Sequence, residues 1–546
     1  MVALAGTAFA ASLLLLTAIN AGPLWRDEVN TANVTQMPTL HDLWNNMESF
    51  PPLWSLIVRF CGIFGLGTTD ASIRVLGLYV GLAVLGSFWL CARWMGCRAP
   101  TLTIALLGSL PSFLFIAGAN RAYGLACCLL ALSFGTIWRL VEFPSRTRIL
   151  AAGAACFFFA HCVFYDVVFL AAMLAGGGLV ALLHRQWRTL AALAGIGAVS
   201  AFTLAIYLPA IRRGAPYSSI FEVPFFSFSV LWDHLRDAVT ARGSGEVGRN
   251  GPEIWLWIAL VLSGLVAAII TLKASAAPAP GPTAVGMTRR PGDLALYCAV
   301  SMVVGTGGLL LFLFHLHYWT QSWYYVEMLC LCSLSLDGLW GANRCGLRPW
   351  GWLRIGFMAA MMAWDAKGGW AEAHTRRSNV DLIAAVLNKD SADQDIIVVE
   401  DVWAGITFNR YYHGAARWVT VPPIDSHLVH RTDLVFEKIH EPDPMASVVR
   451  DVANALQGGH GVWLVGNMPL VRPVRLSAVQ PALWFGGCVN HWNSQVTGTI
   501  LDHALQQQVP NITAGQPICY LENLQVVRFS GFKSDAGLPD AATPAK

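Results

Sequence analysis

Residues 166–184, DVVFLAAMLAGGGLVALLH, decide the fold class. Between Asp166 and His184 the run is wholly apolar. A helix rising about 1.5 Å per residue over that length covers most of a bilayer's hydrocarbon core of roughly 30 Å. Comparable runs lie near 2–20, 76–95, 101–118, 122–140, 148–164, 188–210, 254–273, 294–316, 321–340 and 351–366. Together they predict about eleven transmembrane helices. A shorter apolar stretch, 53–66, ends at Gly65, Leu66 and Gly67 and reads as a helix lying at the interface.

Composition agrees with that reading. Of 546 residues, 55% are hydrophobic and only 13% charged, and the mean hydropathy is +0.51. A soluble globule carries about 25% charged residues, so this chain has roughly half the usual solvating surface. Adding 22 Trp and 27 Phe excludes a water-soluble enzyme and a disordered chain alike. The formal net charge of +3 is too small to draw a nucleic-acid partner. The cysteines sit mostly inside apolar runs (Cys127, Cys128, Cys330, Cys332), and no CxxC or Cys/His spacing points to structural zinc. The chain is a polytopic membrane protein.

Charge sets the expected orientation. With the N-terminus in the cytoplasm, the inner loops hold Arg93, Arg98, Arg139, Arg146, Arg148, Arg185, Arg188, Lys273, Arg289, Arg290, Arg344, Arg348 and Arg354. The short outer connections near 119–121, 165 and 316–320 hold only Arg121. That is the positive-inside pattern of a multi-pass membrane protein. No basic n-region precedes the first span, which reads as an uncleaved anchor rather than a signal peptide.

Residues 1–367 are thus expected to form the membrane module, with an outer loop at 21–75. A second outer loop at 211–253 carries Arg212, Arg213, Asp233, Asp237, Arg242 and a Phe225-Phe226 patch for the membrane surface. Beyond 367 the hydropathy falls, and 368–535 reads as an extracytoplasmic α/β domain. Asp395-Ile-Ile-Val-Val-Glu400 and Gly461-Val-Trp-Leu-Val-Gly466 have the character of buried strands, each preceded by a helical stretch (378–388, 446–457), which predicts a partly parallel sheet. Cys488 and Cys519 fall in this domain on the oxidising side, where a disulfide can form. The Ala/Pro-rich stretch 274–287 reads as an inner linker and 536–546 as a disordered tail.

Ionisable groups are costly in lipid, so those at the outer ends of spans are candidates for function. Trp25-Arg26-Asp27-Glu28 follows the first span directly. Two adjacent acids there can act as a general base or hold a divalent cation such as magnesium or manganese. The plainer reading is a helix N-cap, since a helix at 28–36 follows Asp27. Glu48-Ser-Phe-Pro51-Pro52-Leu53-Trp54 comes next, then Asp70-Ala-Ser-Ile-Arg74 at the start of the second span. Ala119-Asn-Arg121-Ala-Tyr123 opens the fourth span, and His161, Tyr165 and Asp166 sit at the connection after the fifth. All of these fall on one side of the membrane. An Arg, a His and several acids at one face suit a phosphorylated ligand, the guanidinium forking onto phosphate oxygens while a carboxylate handles the proton.

Each helper has a plainer alternative. Arg74 can snorkel, His161 can be a satisfied bundle histidine, and Tyr123 and Tyr165 can be packing or belt residues. His315 and His317, with Tyr318 and Trp319, mark another outer helix end within reach of a lipid phosphate. Glu327 lies inside a span and needs a buried partner, an Arg or a Tyr.

The order span, Asp-Glu loop, Pro-Pro-Leu, Arg74, Arg-x-Tyr and His near an outer turn resembles the protein mannosyltransferase superfamily. Its bacterial branch includes the lipid A aminoarabinose transferases and other enzymes that use polyprenyl-phosphate sugars. Motifs carry the resemblance over residues 1–210, and layout alone carries it beyond. It implies a GT-C fold with an outer catalytic loop and a soluble C-terminal domain. It also implies Asp27 as general base, with Glu28 orienting it or sharing a cation. Arg121 leads the substrate-binding candidates, followed by Arg74, His161, Glu48, Tyr123 and His317. Two departures stand out: Phe50 occupies the place before Pro-Pro where the family usually has His or Lys, and His161 is separated from Tyr165 where relatives often have His next to Tyr.

The resulting expectation is a glycosyltransferase that moves a sugar, with inversion, from a polyprenyl-phosphate donor to an extracytoplasmic lipid, glycan or protein. The alternatives are a transporter or flippase of a lipid-linked saccharide and a non-catalytic subunit of an envelope polysaccharide assembly. The matched, Gly/Pro-broken halves typical of transporters are not visible in the sequence.

Overall fold

The computed structural model describes residues 1–47, 50–221, 226–240, 251–276, 291–317, 320–342, 348–400, 402–466 and 485–531. Glu48, Phe225, Arg242, Arg289, Arg290, Tyr318, Trp319 and Arg344, most of the 274–287 linker and the tail lie outside the described residues.

The described helices run α1 (Val2–Asn20), α2 (Arg26–Thr35), α3 (Leu40–Asn45), α4 (Leu53–Gly62), α5 (Asp70–Met95), α6 (Thr101–Leu107), α7 (Pro111–Ala117) and α8 (Ala122–Glu142). Next come α9 (Arg146–Ala160), α10 (Asp166–Leu183), α11 (Trp187–Leu204), α12 (Leu208–Gly214), α13 (Phe228–Ala238), α14 (Glu253–Ala276), α15 (Pro291–Leu316), α16 (Val326–Ala342) and α17 (Arg348–Ala373). The chain divides into two compact units. One comprises Met1–Ala21, Val34–Ala215 and Glu222–Thr375; the other comprises Gly22–Asn33, Pro216–Phe221 and Arg376–Lys546.

The first unit is a helical bundle, because in hydrocarbon every backbone N–H and C=O must be satisfied within its own segment. Among the described residues seven helices are long and apolar enough to cross a bilayer: Val2–Asn20, Asp70–Met95, Ala122–Glu142, Asp166–Leu183, Trp187–Tyr217, Glu253–Ser275 and Pro291–Leu316. The other four expected runs are also helical but fall short of that measure. The run 101–118 is broken between α6 and α7, where Pro111 cannot donate to a preceding turn and instead starts a new helix. Helix α9 has 15 residues and α16 has 17, the latter preceded by a short 3₁₀ turn, Ser322–Tyr325. Helix α17 carries Arg354, Asp365 and Lys367. The stretch at 53–66 forms the ten-residue α4, too short to span.

The break before α6 leaves helix-start amides to be satisfied inside the bundle, and Pro100 at its N-cap offers no side-chain acceptor. Asp337 of α16, completely buried, supplies the missing cap. Its carboxylate accepts from the Leu102 and Thr103 amides at 2.9 Å each and from the Thr103 hydroxyl at 2.7 Å, and Arg354 of α17 pairs with it at 3.0 Å. One carboxylate therefore ties three helices together, with its charge offset by a guanidinium and a helix N-terminus.

The second unit is built on a five-stranded sheet. Its strands are β1 (Ile396–Val399), β2 (Arg417–Thr420), β3 (Gly461–Gly466), β4 (Ala504–Gln508) and β5 (Gln525–Gly531), in the order β2-β1-β3-β5-β4. Strand β1 is parallel to both β2 and β3, while β5 is antiparallel to β3 and β4, so the sheet is partly parallel as expected. Helices α18 (Val380–Asp390), α19 (Ala404–Tyr411), α20 (Thr432–His440), α21 (Ala446–Gln457) and α22 (Phe485–His503) complete the unit.

Both faces of the central strands are covered, which explains their continuous apolar runs. Successive side chains alternate faces. Ile396, Val398, Val462 and Leu464 pack with Val448, Val452, Trp492, Val496 and Ile500 of α21 and α22. Ile397, Val399, Trp463 and Val465 pack with Val380, Ile383, Leu387 and Phe408 of α18 and α19. Each such side chain contributes about 1.5–3 kcal/mol of burial. At the sheet's other end Asp395 accepts from the Gly461 amide at 2.7 Å, Trp463 Nε1 at 2.9 Å and the Ala392 amide at 3.1 Å, locking β1 against β3. Cys488 and Cys519 are buried thiols rather than a disulfide, the former lying in the first of these clusters.

Two outcomes follow. Asp337→Ala removes the only acidic partner described for Arg354 and orphans two helix-start amides; it should cost about 3–5 kcal/mol in thermal unfolding of the detergent-solubilised protein, with Asp337→Asn costing less. Burial holds the Glu400 carboxyl up at about 7. A folded-state pKa raised in this way gives stability that is complete below about pH 4.5 and lost as pH rises through about 7. Glu400→Gln should therefore melt higher than the parent above pH 7, by on the order of 2 kcal/mol, and close to it at pH 5.

Candidate functional site

In the bundle, the turn joining α7 to α8 carries Arg121. Its path is dictated by close backbone approach: a Cβ on Gly77 of α5 would overlap the Gly118 carbonyl oxygen, and one on Gly124 would overlap that of Ala117. Trp54 of α4 fixes the turn from another side, its Nε1 donating to Asn120 Oδ1 at 3.1 Å in a buried setting. Arg121 then takes an extended conformation as the N-cap of α8, and its guanidinium lies 4.4 Å from the centre of the Phe50 ring.

Phe50 begins an aromatic chain. It meets Tyr123 edge-on at 5.4 Å, Tyr123 meets Tyr324 at 6.2 Å, and Tyr324 meets Tyr165 at 6.3 Å. Tyr123 is on the first turn of α8, Tyr165 is the N-cap of α10, and Tyr324 lies in the 3₁₀ turn before α16. The starts of three helices thus meet around one cluster. Helix starts present partly positive amide ends, so an anion is favoured there. Phe50 gives Arg121 an aromatic platform, which attracts a guanidinium electrostatically.

Arg74 is buried in the second turn of α5. His161 has both ring nitrogens engaged within the bundle, Nδ1 with the Tyr207 hydroxyl at 2.8 Å and Nε2 with the Thr203 hydroxyl at 3.1 Å. Trp44 of α3 stacks on Tyr207 at 5.5 Å. His317 lies just past α15 with a left-handed backbone (φ 51°), its ring near Phe226 and Phe314. Glu327, fully buried at the start of α16, is coupled electrostatically to the buried Asp166 carboxyl and to Tyr165, and neither of its carboxyl oxygens has a hydrogen-bond partner among the described residues. An Arg or a Tyr was the expected partner; the group that faces it most directly is a second acid. Asp166 itself accepts the Val163 amide at 3.0 Å, closing the turn into α10. Sequence reasoning missed a further polar chain, His234 Nδ1 to the Thr320 hydroxyl at 2.7 Å and on to the Tyr325 hydroxyl at 2.8 Å.

The acid pair belongs to the other unit. Asp27 and Glu28 stand in the first turn of α2, where negative charge complements the helix end. The segment is held by long-range bonds: the Leu24 amide donates to the Tyr411 hydroxyl at 2.9 Å, the His430 amide to Asn30 Oδ1 at 2.9 Å, and Asn33 Nδ2 to the Leu428 carbonyl at 2.6 Å. Glu28 is completely buried, its Oε2 turned toward the Trp25 amide at 3.4 Å. Asp27 remains accessible, with Arg26 Nε at 3.7 Å and His430 Nε2 at 3.8 Å from its Oδ1. His430 is the functional candidate that sequence reasoning did not find. It lies in an irregular loop four hundred residues from Asn30, and no local pattern announces it. Its ring meets Trp403 edge-on at 5.4 Å.

This donor set does not fit a divalent cation. Asp27 faces two basic groups, and Glu28 is buried with its Oε2 toward the Trp25 amide. Among the described residues no group of three or more His, Cys, Asp or Glu could hold a metal ion. What the arrangement offers is an accessible carboxylate beside an imidazole, suited to taking a proton from a hydroxyl or amine.

No protein-family model matches the sequence. No curated protein sequence matches it. Among solved structures, the crystal structure of ArnT from Cupriavidus metallidurans bound to undecaprenyl phosphate is similar at 14% identity, covering 97% of this chain and 98% of that one, with a TM-score of 0.48. The apo-state structure of the same protein has the same identity and coverage and a TM-score of 0.37.

The glycine contact beside Arg121 yields a paired test. Gly77→Ala should lower thermal stability by about 1–3 kcal/mol, because the overlapping atom is backbone. Gly86→Ala, on the same helix with open space around it, should be neutral or stabilising by about 0.5–1 kcal/mol.

Proposed function

We propose that the chain is a membrane glycosyltransferase that moves a sugar from a polyprenyl-phosphate donor to an acceptor on the periplasmic side of a bacterial inner membrane. The observation that carries this reading is Arg121, nearly buried against the Phe50 ring beside the starts of α8, α10 and α16. A cation in such a setting, with positive helix ends around it, is matched to the phosphate of a lipid carrier whose chain runs in the bilayer. The order of motifs along residues 1–210 supports the same reading.

In this reaction the acceptor oxygen or nitrogen attacks the anomeric carbon of the donor sugar from the face opposite the phosphate. The bond from that carbon to the phosphate oxygen breaks, and its electron pair leaves with the polyprenyl phosphate. Asp27 takes the acceptor's proton and passes it to water. Single displacement inverts the anomeric centre. Charge grows on the leaving phosphate in the transition state, so Arg121 stabilises that state more than the ground state. Glu28, buried behind the turn, acts as a positioning residue for the helix start, and His430 sets the charge environment of Asp27. No metal enters this scheme.

Purified protein supplied with a synthetic polyprenyl-phosphate sugar and a suitable acceptor should release polyprenyl phosphate. Asp27→Ala should lower turnover by about 10²–10⁴-fold, the usual value of a positioned base. Arg121→Ala should lower it by about 10²–10³-fold through weaker donor use. Movement of intact lipid-linked sugar across proteoliposomes without bond cleavage would overturn the proposal.

A further inference from the structure

One stripe of α2 holds a loop from the far end of the sequence. Asp27, Asn30 and Asn33 follow at three-residue intervals, which sets them along one side of the helix. Asn33 Nδ2 donates to the Leu428 carbonyl at 2.6 Å, and Asn30 Oδ1 accepts the His430 amide at 2.9 Å. At the end of the stripe Asp27 Oδ1 stands 3.8 Å from His430 Nε2. Asn30 is only 2% exposed, so its bond to the His430 backbone is shielded from competing water. On the other side Trp403 meets the His430 ring edge-on at 5.4 Å. Backbone and ring are both held, and Gly22–Asn33 and this loop fall in one compact unit.

Three basic side chains lie on or beside this contact, and their chemistry differs. Arg26 Nε is 3.7 Å from Asp27 Oδ1, but a guanidinium keeps its protons throughout the working range and cannot accept another. Arg431, next to His430 in sequence, is engaged by Asp433 through two bonds of 2.8 and 2.7 Å. Of the three, only His430 can take up a proton and release it again. A gap of 3.8 Å closes to a hydrogen bond with a shift of about 1 Å, and catalytic hydrogen bonds are often this long before substrates bind.

We propose that His430 is a proton relay for Asp27, held in place by Asn30, so that the C-terminal segment completes the reaction centre. This inference rests on the proposed transfer reaction. As the sugar moves, the acceptor's proton passes to a carboxylate oxygen of Asp27. The Asp27 carboxyl then gives that proton to His430 Nε2, which restores the carboxylate and leaves an imidazolium. The imidazolium releases a proton to water, and both groups return to their starting states. Imidazole is a stronger base than a carboxylate, so the proton moves downhill as it leaves Asp27.

The test follows release of polyprenyl phosphate by the full chain in detergent, with synthetic donor and acceptor, and a melting curve for each variant. His430→Ala and His430→Gln should each lower turnover about 10²-fold. The His430 and Asp27 side chains are 15% and 18% exposed, so a small base can reach them from solvent. Imidazole at about 0.1 M should raise turnover of His430→Ala at least about fivefold and leave Asp27→Ala unchanged. Guanidinium at the same concentration carries charge but takes no proton, and should not help. Asn30→Ala should lower turnover about 3–10-fold in the parent and less than about twofold in His430→Ala, because a tether acting through the ring has no effect once the ring is gone. Parent-like turnover in the folded His430 variants, a loss that imidazole does not relieve, or equal relief by guanidinium would overturn the relay and leave the transfer reaction standing. A parent that cleaves no polyprenyl-phosphate sugar would remove both.

Discussion

A carboxylate buried in a helical bundle has no water to turn to, and the bundle is organised around that constraint. Asp337 is tolerated because it answers a need created elsewhere. Helix α6 starts within the protein after a proline that cannot cap it, and two of its amides need an acceptor. The Arg354 guanidinium balances the remaining charge. The same rule governs Tyr297, whose buried hydroxyl donates to the Phe134 carbonyl at 2.8 Å. Polar groups in this unit are admitted where a helix end or a partner side chain receives them.

That rule also explains where chemistry can reside. Helix interiors have their backbone groups paired, so capacity for a polar ligand is concentrated where helices begin and amides are left over. The starts of α8, α10 and α16 bring Arg121, Tyr123, Tyr165 and Tyr324 into one cluster, and the Gly77–Gly118 contact lets the Arg121 turn come close enough to join it. Phe50 contributes without charge: its ring lies against the Arg121 guanidinium.

The C-terminal unit follows soluble-protein logic. Its central strands are apolar throughout because helices cover both faces, and its polar residues gather at the strand ends. Asp395 at the beginning of β1 is fully satisfied by two amides and an indole, and is structural. Glu400 at the other end of the same strand keeps an oxygen unsatisfied. Two acids five residues apart in sequence therefore have opposite characters, and only the surroundings distinguish them.

Membrane class, most helix positions, the short α4 and the two central strands were legible in the sequence, because each depends on local hydropathy and periodicity along a single segment. Asp27, Glu28 and Arg121 could be singled out for a similar reason: charged residues beside apolar runs are conspicuous. Their partners were not legible. That His430 stands beside Asp27, that Phe50 underlies Arg121, that Asp166 faces Glu327 and that Asp337 caps α6 were decided by tertiary structure. Hydrophobic patterning states which face of an element is buried; which side chain it meets there depends on packing between segments far apart in the chain, for which one sequence carries no local signal.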